Sequence, residues 1–277
     1  PGGPNYLGVR QALRTAELHT VCEEAHCPNI GECWERQSAT FMILGDICTR
    51  ACRYCAVNSG RPKGLDKEEP ARLARTVDHL GLKYVVITSV NRDDLQDGGA
   101  AIFADCITQI RKLDTACQVE VLIPDFQGNK DSLRAVLAAG PCVLNHNIET
   151  VTRIFPSVRA KGDYQLSLRL LARSKEIAPT IPTKSGFMVG LGERFEEIID
   201  LMTDLRASGV DLLTIGQYLR PSKDHIPMER YYSPSEFRVL AEEGEAMGFS
   251  SVAAGPLVRS SYRADEQRAA VKIPAPS

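Results

Sequence analysis

The sequence predicts an α/β fold whose parallel sheet is closed or half-closed into a barrel. Short β-branched runs alternate with helical patterns about six times after residue 37, and strand-then-helix repetition is the pattern of parallel pairing. The chain has 277 residues, 43% of them hydrophobic, which suits one barrel domain with a sizeable core.

Strands are expected at residues 40–44, 84–88, 119–123, 143–147, 185–189 and 212–215, with a further short run at 251–254. Helices are expected at 72–80, 100–113, 130–139, 164–177, 196–208 and 234–247, where apolar residues recur three and four apart. Gly81, Gly140, Gly209 and Gly248 follow four of these and read as helix stops. The first 37 residues read as a mostly helical or irregular extension. Right-handed crossovers put the C-terminal strand ends on one face, where ligand sites of such folds lie. Segments 88–94, 145–149 and 216–218 follow strands in this reading and should ring one mouth. Gly190-Leu191-Gly192-Glu193 lacks the spacing of a dinucleotide fingerprint, so its glycines are expected to let backbone approach a bound ligand.

A formal net charge of −2 gives no global basic field, and neither nucleic acid nor a membrane surface is an expected partner. No run of about 18 apolar residues marks a membrane span. Residues 1–10 carry no signal-peptide core, and the start at Pro1, without an initiator Met, reads as processing or trimming. A reducing compartment is expected, the cytoplasm or an organelle matrix, where clustered cysteines bind metal or do redox chemistry more often than they form disulfides.

Six of nine cysteines fall between positions 22 and 55. Cys22, Cys27 and Cys33 are spaced C-x4-C-x5-C, and Cys48, Cys52 and Cys55 are spaced C-x3-C-x2-C. An iron–sulfur cube usually takes four thiolates, so a triad leaves one iron for another ligand. The second triad follows the first barrel strand in a loop. There three sulfurs can converge while backbone amides stay free to hydrogen-bond them, with Arg50, Arg53 and Tyr54 as flanking cations and aromatic. Zinc prefers four closed ligands in C-x2-4-C pairs, and the only such pairs here, Cys48–Cys52 and Cys52–Cys55, draw on one triad. Cys106, Cys117 and Cys142 read as small buried hydrophobes.

The C-x3-C-x2-C loop after a first strand resembles the radical S-adenosylmethionine superfamily. The segment Val21-Cys22-Glu23-Glu24-Ala25-His26-Cys27-Pro28-Asn29-Ile30-Gly31-Glu32-Cys33 narrows the resemblance to the lipoyl synthases, as does the closing Arg259-Ser260-Ser261-Tyr262. Residues 40–50, 87–95, 145–150, 183–193 and 216–222 are similar to further segments of that family, so the likeness runs from about Leu13 to Asp265.

The resemblance implies a partial (β/α)6 TIM-like barrel with N-terminal and C-terminal extensions. Residues 1–37 would carry the auxiliary-cluster cysteines, 38–250 the barrel, and 251–277 the Arg-Ser-Ser-Tyr motif. It implies two 4Fe–4S clusters and S-adenosyl-L-methionine. Cys48, Cys52 and Cys55 would hold the cluster that cleaves S-adenosylmethionine to a 5′-deoxyadenosyl radical. Cys22, Cys27, Cys33 and Ser261 would hold the cluster that donates sulfur. The implied reaction is insertion of two sulfur atoms at carbons 6 and 8 of a protein-bound octanoyl-lysine. Implied partners are the octanoylated lipoyl carrier domains of 2-oxoacid dehydrogenase complexes or the glycine cleavage H protein, and a low-potential electron donor. For the S-adenosylmethionine pocket, position puts forward Tyr54 near the adenine, Asn147 and Glu149 past a strand end, and Lys184 for the ligand carboxylate or at the barrel rim. Asp93 and Asp94 are set aside as loop and salt-bridge residues. If residues 259–262 are extended, Ser260 and Ser261 face opposite ways, so only one can reach a cluster.

Overall fold

Strands follow one another in chain order within each of two compact units. The first unit comprises the chain up to Ala51 together with Ala56–Cys142; the second comprises Cys52–Cys55 together with the chain from Val143 onward. The computed structural model describes residues 2–36, 38–113 and 116–271, so Pro1 and Gln37 of the N-terminal extension and residues 272–277 of the C-terminal segment lie outside the described residues.

The first unit opens with α1 (Pro4–Thr15), β1 (His19–Thr20), α2 (Val21–Glu24) and α3 (Ile30–Glu35). There follow β2 (Thr40–Ile43), α4 (Glu69–His79), β3 (Tyr84–Ser89), α5 (Ala100–Lys112), β4 (Gln118–Leu122), a 3-10 turn at Phe126–Gly128 and α6 (Lys130–Ala138). β2, β3 and β4 pair in parallel, Thr40 opposite Val86 and Val86 opposite Glu120. β1 is antiparallel to β2, His19 opposite Met42. A two-residue strand has no periodicity to read, and the sequence reading passed over it. The core fills with alternate strand residues such as Ile87 and Val121 against helix residues such as Leu73 and Ile107.

The second unit holds β5 (Val143–Asn145), α7 (Phe155–Val158), α8 (Tyr164–Ile177), β6 (Thr183–Val189), α9 (Phe195–Ala207), β7 (Leu212–Gln217), α10 (Pro234–Ala246), β8 (Ser251–Gly255) and α11 (Ala264–Ala269). β5 to β8 pair in parallel in that order. Phe187, Val189, Leu213 and Ile215 pack with Leu171, Leu201 and Phe237 of the helices. By strand alternation Lys184, Gly186, Thr214 and Gly216 face the other side of the sheet.

Local sequence explains where helices begin and end. Ser233 caps α10, accepting from Glu236 N at 3.3 Å, while the Glu236 carboxylate accepts from Ser233 N at 2.7 Å and Pro234 takes the first turn. Asn129 and Asp163 cap α6 and α8 by side-chain acceptance alone, from Asp131 N and Ser132 N and from Leu166 N. The four expected stop glycines all adopt positive φ, from 61° at Gly81 to 88° at Gly248. Gly99 also has positive φ, and a Cβ there would come 2.2 Å from Leu44 Cδ1, so the start of α5 requires glycine. No helix among the described residues is long and apolar enough to cross a membrane.

Candidate active site

The first triad is built on short helices. Thr20 caps α2, its hydroxyl accepting from Glu23 N at 3.3 Å, and so places Cys22 in a buried turn. Cys27 returns its N–H to Cys22 O at 3.0 Å, and Cys33, on α3, is held by Asn29 O at 2.9 Å. The three thiols lie within electrostatic reach of one another. Burial pushes the Cys33 thiol up to about 12, and the neighbouring Cys22 and Cys27 push the same way. Burial likewise raises Cys22, with a contribution from Cys27, while a hydrogen bond at the Thr40 backbone and the Trp34 indole favour its thiolate. Among the described residues no three cysteine, histidine or carboxylate side chains stand as close as ligands of one metal ion do.

The second triad is divided between the units. Cys48 follows β2 and is fixed by Cys48 N to Asn58 O and Gly60 N to Cys48 O, both 2.8 Å. Its sulfur accepts from two backbone amides, Asn91 N at 3.3 Å and Arg50 N at 3.4 Å. Arg50 is not a free flanking cation. Its guanidinium forks onto Asp93, with both bonds 2.8 Å, and onto buried Asp125, at 2.6 and 2.7 Å. Asp94 pairs with Arg92 at 2.8 Å, so both aspartates are salt-bridge residues.

In the second unit the Cys52–Cys55 segment is gripped by main chain. Arg53 N donates to Val158 O at 2.9 Å, Arg53 O accepts from Ile226 N at 2.9 Å, and Cys55 N closes onto Cys52 O at 3.1 Å. His225 Nε2 lies 3.0 Å from Cys55 O, a pure acceptor, so this nitrogen carries the proton. Ser222 Oγ holds the other ring nitrogen at 2.8 Å.

Three of the four pocket candidates meet. Tyr54 and Asn147 both donate to the Glu149 carboxylate, which burial pushes up and which Arg159 and these donors pull back down. Burial raises the Tyr54 phenol, with Glu149 and Cys52 adding to it. Glu149 holds a positive φ of 75°, a conformation that costs free energy in a residue with a Cβ, and Met188 N bonds its carbonyl at 2.9 Å. Lys184 is fully buried inside β6 rather than standing at an exposed rim.

Sequence reasoning missed Arg159 and His225, and placed Gln217 at the mouth without its partners. Arg159, which braces Asn147 O at 2.6 Å, belongs to no motif. Buried Gln217 occupies the space next to Gly190: a Cβ there would come 2.2 Å from Gln217 Nε2 and 2.6 Å from Arg230 O. The approach expected from a ligand is therefore made by the chain itself. Glu193 folds back onto the N–H groups of Gly190 and Leu191 at 2.6 and 2.8 Å. Gly216 and Gln217 lie within β7 rather than after it. Cys106 is fully buried, but Cys117 and Cys142 precede β4 and β5 and are only half-buried. In the C-terminal motif Tyr262 N bonds Arg259 O at 2.9 Å, so residues 259–262 form a turn and the extended-chain alternation of Ser260 and Ser261 does not apply. The motif is anchored on β7, where Val258 O would lie 2.3 Å from a Cβ on Gly216.

Two observations fit the groups that the cysteine spacing implies. Cys48 Sγ is already supplied with amide donors, as a thiolate ligand requires. The fully buried Trp34 Nε1–H, beside Cys22, makes no hydrogen bond. For S-adenosylmethionine, the buried Oδ1 of Asn147 likewise lacks a donor.

Comparison with known proteins agrees with this geometry. The Radical SAM superfamily profile matches residues 42–205. Among solved structures, the hydrogenase maturase HydG aligns with TM-score 0.60 at 16% identity over 90% of this chain and 68% of its own. Methylornithine synthase PylB aligns with TM-score 0.59 at 13% identity over 76% and 62%. The α/β fold of consecutive parallel strands is thus that of the radical S-adenosylmethionine superfamily. Within that class, a lipoyl synthase of Rubrobacter xylanophilus is 57% identical over 96% of this chain and 83% of its own length. One of Koribacter versatilis is 57% identical over 99% and 90%. The chain belongs to the lipoyl synthase family.

Proposed function

We propose that this enzyme inserts two sulfur atoms at carbons 6 and 8 of an octanoyl chain in amide linkage to a carrier-domain lysine. The carriers are the lipoyl domains of 2-oxoacid dehydrogenase complexes or the glycine cleavage H protein, with electrons from a low-potential donor in the cytoplasm or an organelle matrix. One observation carries the reading: Cys22, Cys27 and Cys33 share one pair of short helices and the turn between them, tied by Cys27 N to Cys22 O at 3.0 Å, in a chain that also holds a C-x3-C-x2-C loop.

The two 4Fe–4S clusters and S-adenosylmethionine supply reductive radical chemistry and sulfur, which unactivated C–H bonds demand because no side chain is basic enough to deprotonate them. Cys48, Cys52 and Cys55 hold the cluster that serves S-adenosylmethionine. Cys22, Cys27 and Cys33, with Ser261 as fourth ligand, hold the sulfur donor. Glu149 offers a carboxylate to the ammonium or ribose hydroxyls, and Asn147 Oδ1 offers an acceptor beside it. Tyr54 packs near the adenine and keeps Glu149 oriented; Lys184 meets the ligand carboxylate. In this reading residues 1–37, 38–250 and 251–277 are the auxiliary, barrel and motif segments. The test is an anaerobic assay of the iron- and sulfide-reconstituted chain with an octanoyl-lysyl peptide. Lipoyl peptide is the expected product; S-adenosylmethionine cleavage without sulfur transfer to the peptide would overturn the reading.

A further inference from the structure

The main chain of the Cys52–Cys55 segment is tied to elements far along the sequence. Arg53 N donates to Val158 O and Ile226 N donates to Arg53 O, both at 2.9 Å. Those bonds hold the middle of the segment. Its end is held by a side chain: His225 Nε2 lies 3.0 Å from the carbonyl oxygen of Cys55, 170 residues away. That oxygen only accepts, so Nε2 carries the hydrogen. The ring is itself fixed. Ser222 Oγ stands 2.8 Å from Nδ1 and accepts from Asp224 N at 3.2 Å, and His225 N closes the turn onto Ser222 O at 3.2 Å. Arg220 grips the same turn, with Nε donating to His225 O at 2.9 Å and a second nitrogen donating to Lys223 O. Polar groups of the loop between β7 and α10 thus converge on one outcome, an imidazole held in one orientation and aimed at the carbonyl of a cysteine. Fastening the loop to the segment does not require it, because the Ile226–Arg53 bond already does that. What the imidazole adds is a fixed peptide plane at Cys55 and, through Cα, a fixed direction for its sulfur.

We propose that His225 is a positioning residue of the second triad: its Nε2–H fixes the Cys55 carbonyl, so that the Cys55 sulfur is aimed at the cluster site whether or not the site is loaded. This rests on the reading that Cys48, Cys52 and Cys55 bind a cluster. Ser222 and Arg220 act one step further out, on the ring and on the turn that carries it. Removing a group that orients a metal ligand typically costs about 10–100-fold in metal affinity or activity.

The test uses a full-length chain whose Cys22, Cys27 and Cys33 are alanine, so that iron sits only on the second triad. His225→Phe keeps a ring and deletes the N–H. His225→Gln keeps an N–H donor at a similar reach. Measurements on the parent and both variants are iron per chain, iron release to a chelator, the midpoint potential of the cluster, and melting of the metal-free and loaded forms. His225→Phe should load the same iron, release it roughly tenfold faster and show a shifted potential. The loaded form should lose more stability than the metal-free form. His225→Gln should return retention and potential to near the parent values. Parent-like retention and potential in His225→Phe would overturn the proposal. So would equal destabilisation of both forms, or a Gln variant as leaky as the Phe variant, since loss of packing alone produces these. A parent chain that binds no iron at this triad would overturn the cluster reading itself, and the role of His225 with it.

Discussion

Cys22 and Cys33 ride on short helices in a dehydrated corner, whereas Cys48 lies in a loop whose backbone N–H groups already reach its sulfur. In the helical corner burial and neighbouring thiols push the Cys22 and Cys33 thiols up. In the loop, two backbone N–H groups already reach the Cys48 sulfur, and the Cys52–Cys55 segment is pinned by Val158, Ile226 and His225. A site that gives up its contents gains nothing from a framework built to hold them. A site that must cycle unchanged does. The contrast fits the proposed division of labour, in which the first triad would hold the sulfur source and the second the cluster that serves S-adenosylmethionine.

The largest effects come from removing either triad. Alanine at Cys48, Cys52 and Cys55 should abolish S-adenosylmethionine cleavage, measured as 5′-deoxyadenosine released. Alanine at Cys22, Cys27 and Cys33 should leave cleavage and end lipoyl formation. The unaltered chain should bind about eight irons, and each triple variant about half of that. Lipoyl product from the Cys22, Cys27, Cys33 variant would erase the distinction between the two sites.

Next in size are the serines of the 259–262 turn. Ser261→Ala should leave cleavage intact and give little or no lipoyl product. Ser261→Cys should keep the auxiliary cluster yet slow sulfur release, because a fourth thiolate grips iron more firmly than an alkoxide. Ser260→Ala should be much milder. Lipoyl product per chain, with cleavage measured in parallel, decides; normal turnover by Ser261→Ala places the fourth ligand elsewhere.

Much of this contrast was legible in the sequence, for physical reasons. Thiol spacing survives as a pattern because few residue types bind iron, and strand–helix alternation survives because a sheet buried under helices demands it. Asn147 and Glu149 stand out in the sequence because they follow a strand, and Tyr54 because it lies between two closely spaced cysteines. Arg159, His225 and the partners of Gln217 do not. All three side chains act through hydrogen bonds to main chain at a distance along the sequence, such as His225 to Cys55 O and Gln217 to Val189 O and Arg230 O, and nothing local records them. The partners of Arg50 were hidden for the same reason: Asp93 and Asp125 come to it only on folding. The turn at Arg259–Tyr262 defeated an argument that needed an extended strand.

Arg50 gives an intermediate effect that tests the framework of the loop site. Arg50→Ala strands the Asp125 carboxylate, whose side chain is only 1% exposed, together with Asp93. Leaving a buried charge uncompensated costs about 3–5 kcal/mol. Arg50→Lys should recover only part, since one ammonium cannot fork onto two carboxylates. Denaturant titration should register the loss, and iron should drop at the second triad while the first keeps its share. Equal loss from both triads would mean that Arg50 supports the chain at large.

The smallest effect should come from Thr20→Ala, the cap of the other site. Thr20 is fully buried, accepts from Glu23 N and donates to the Glu23 carboxylate, each at 3.3 Å. Losing such a cap costs about 1 kcal/mol. In a chain of this size that amounts to about 2–4 °C in melting temperature. The helix it starts is only four residues long, yet it carries Cys22. In the metal-free chain the cap adds to a few backbone bonds and packing in ordering that turn, so the variant should reconstitute the first cluster more slowly. Once iron is bound, the Cys22–iron bond does the same work and the deficit should shrink. Thr20→Ser, which keeps the hydroxyl, should reconstitute at the parent rate. Cleavage of S-adenosylmethionine, which depends on the amide-lined loop, should not change in either variant. Iron uptake against time, read beside cleavage, checks this; a Thr20→Ala chain that loads its first triad at the parent rate would show that packing around Trp34, not the cap, orders the helical corner.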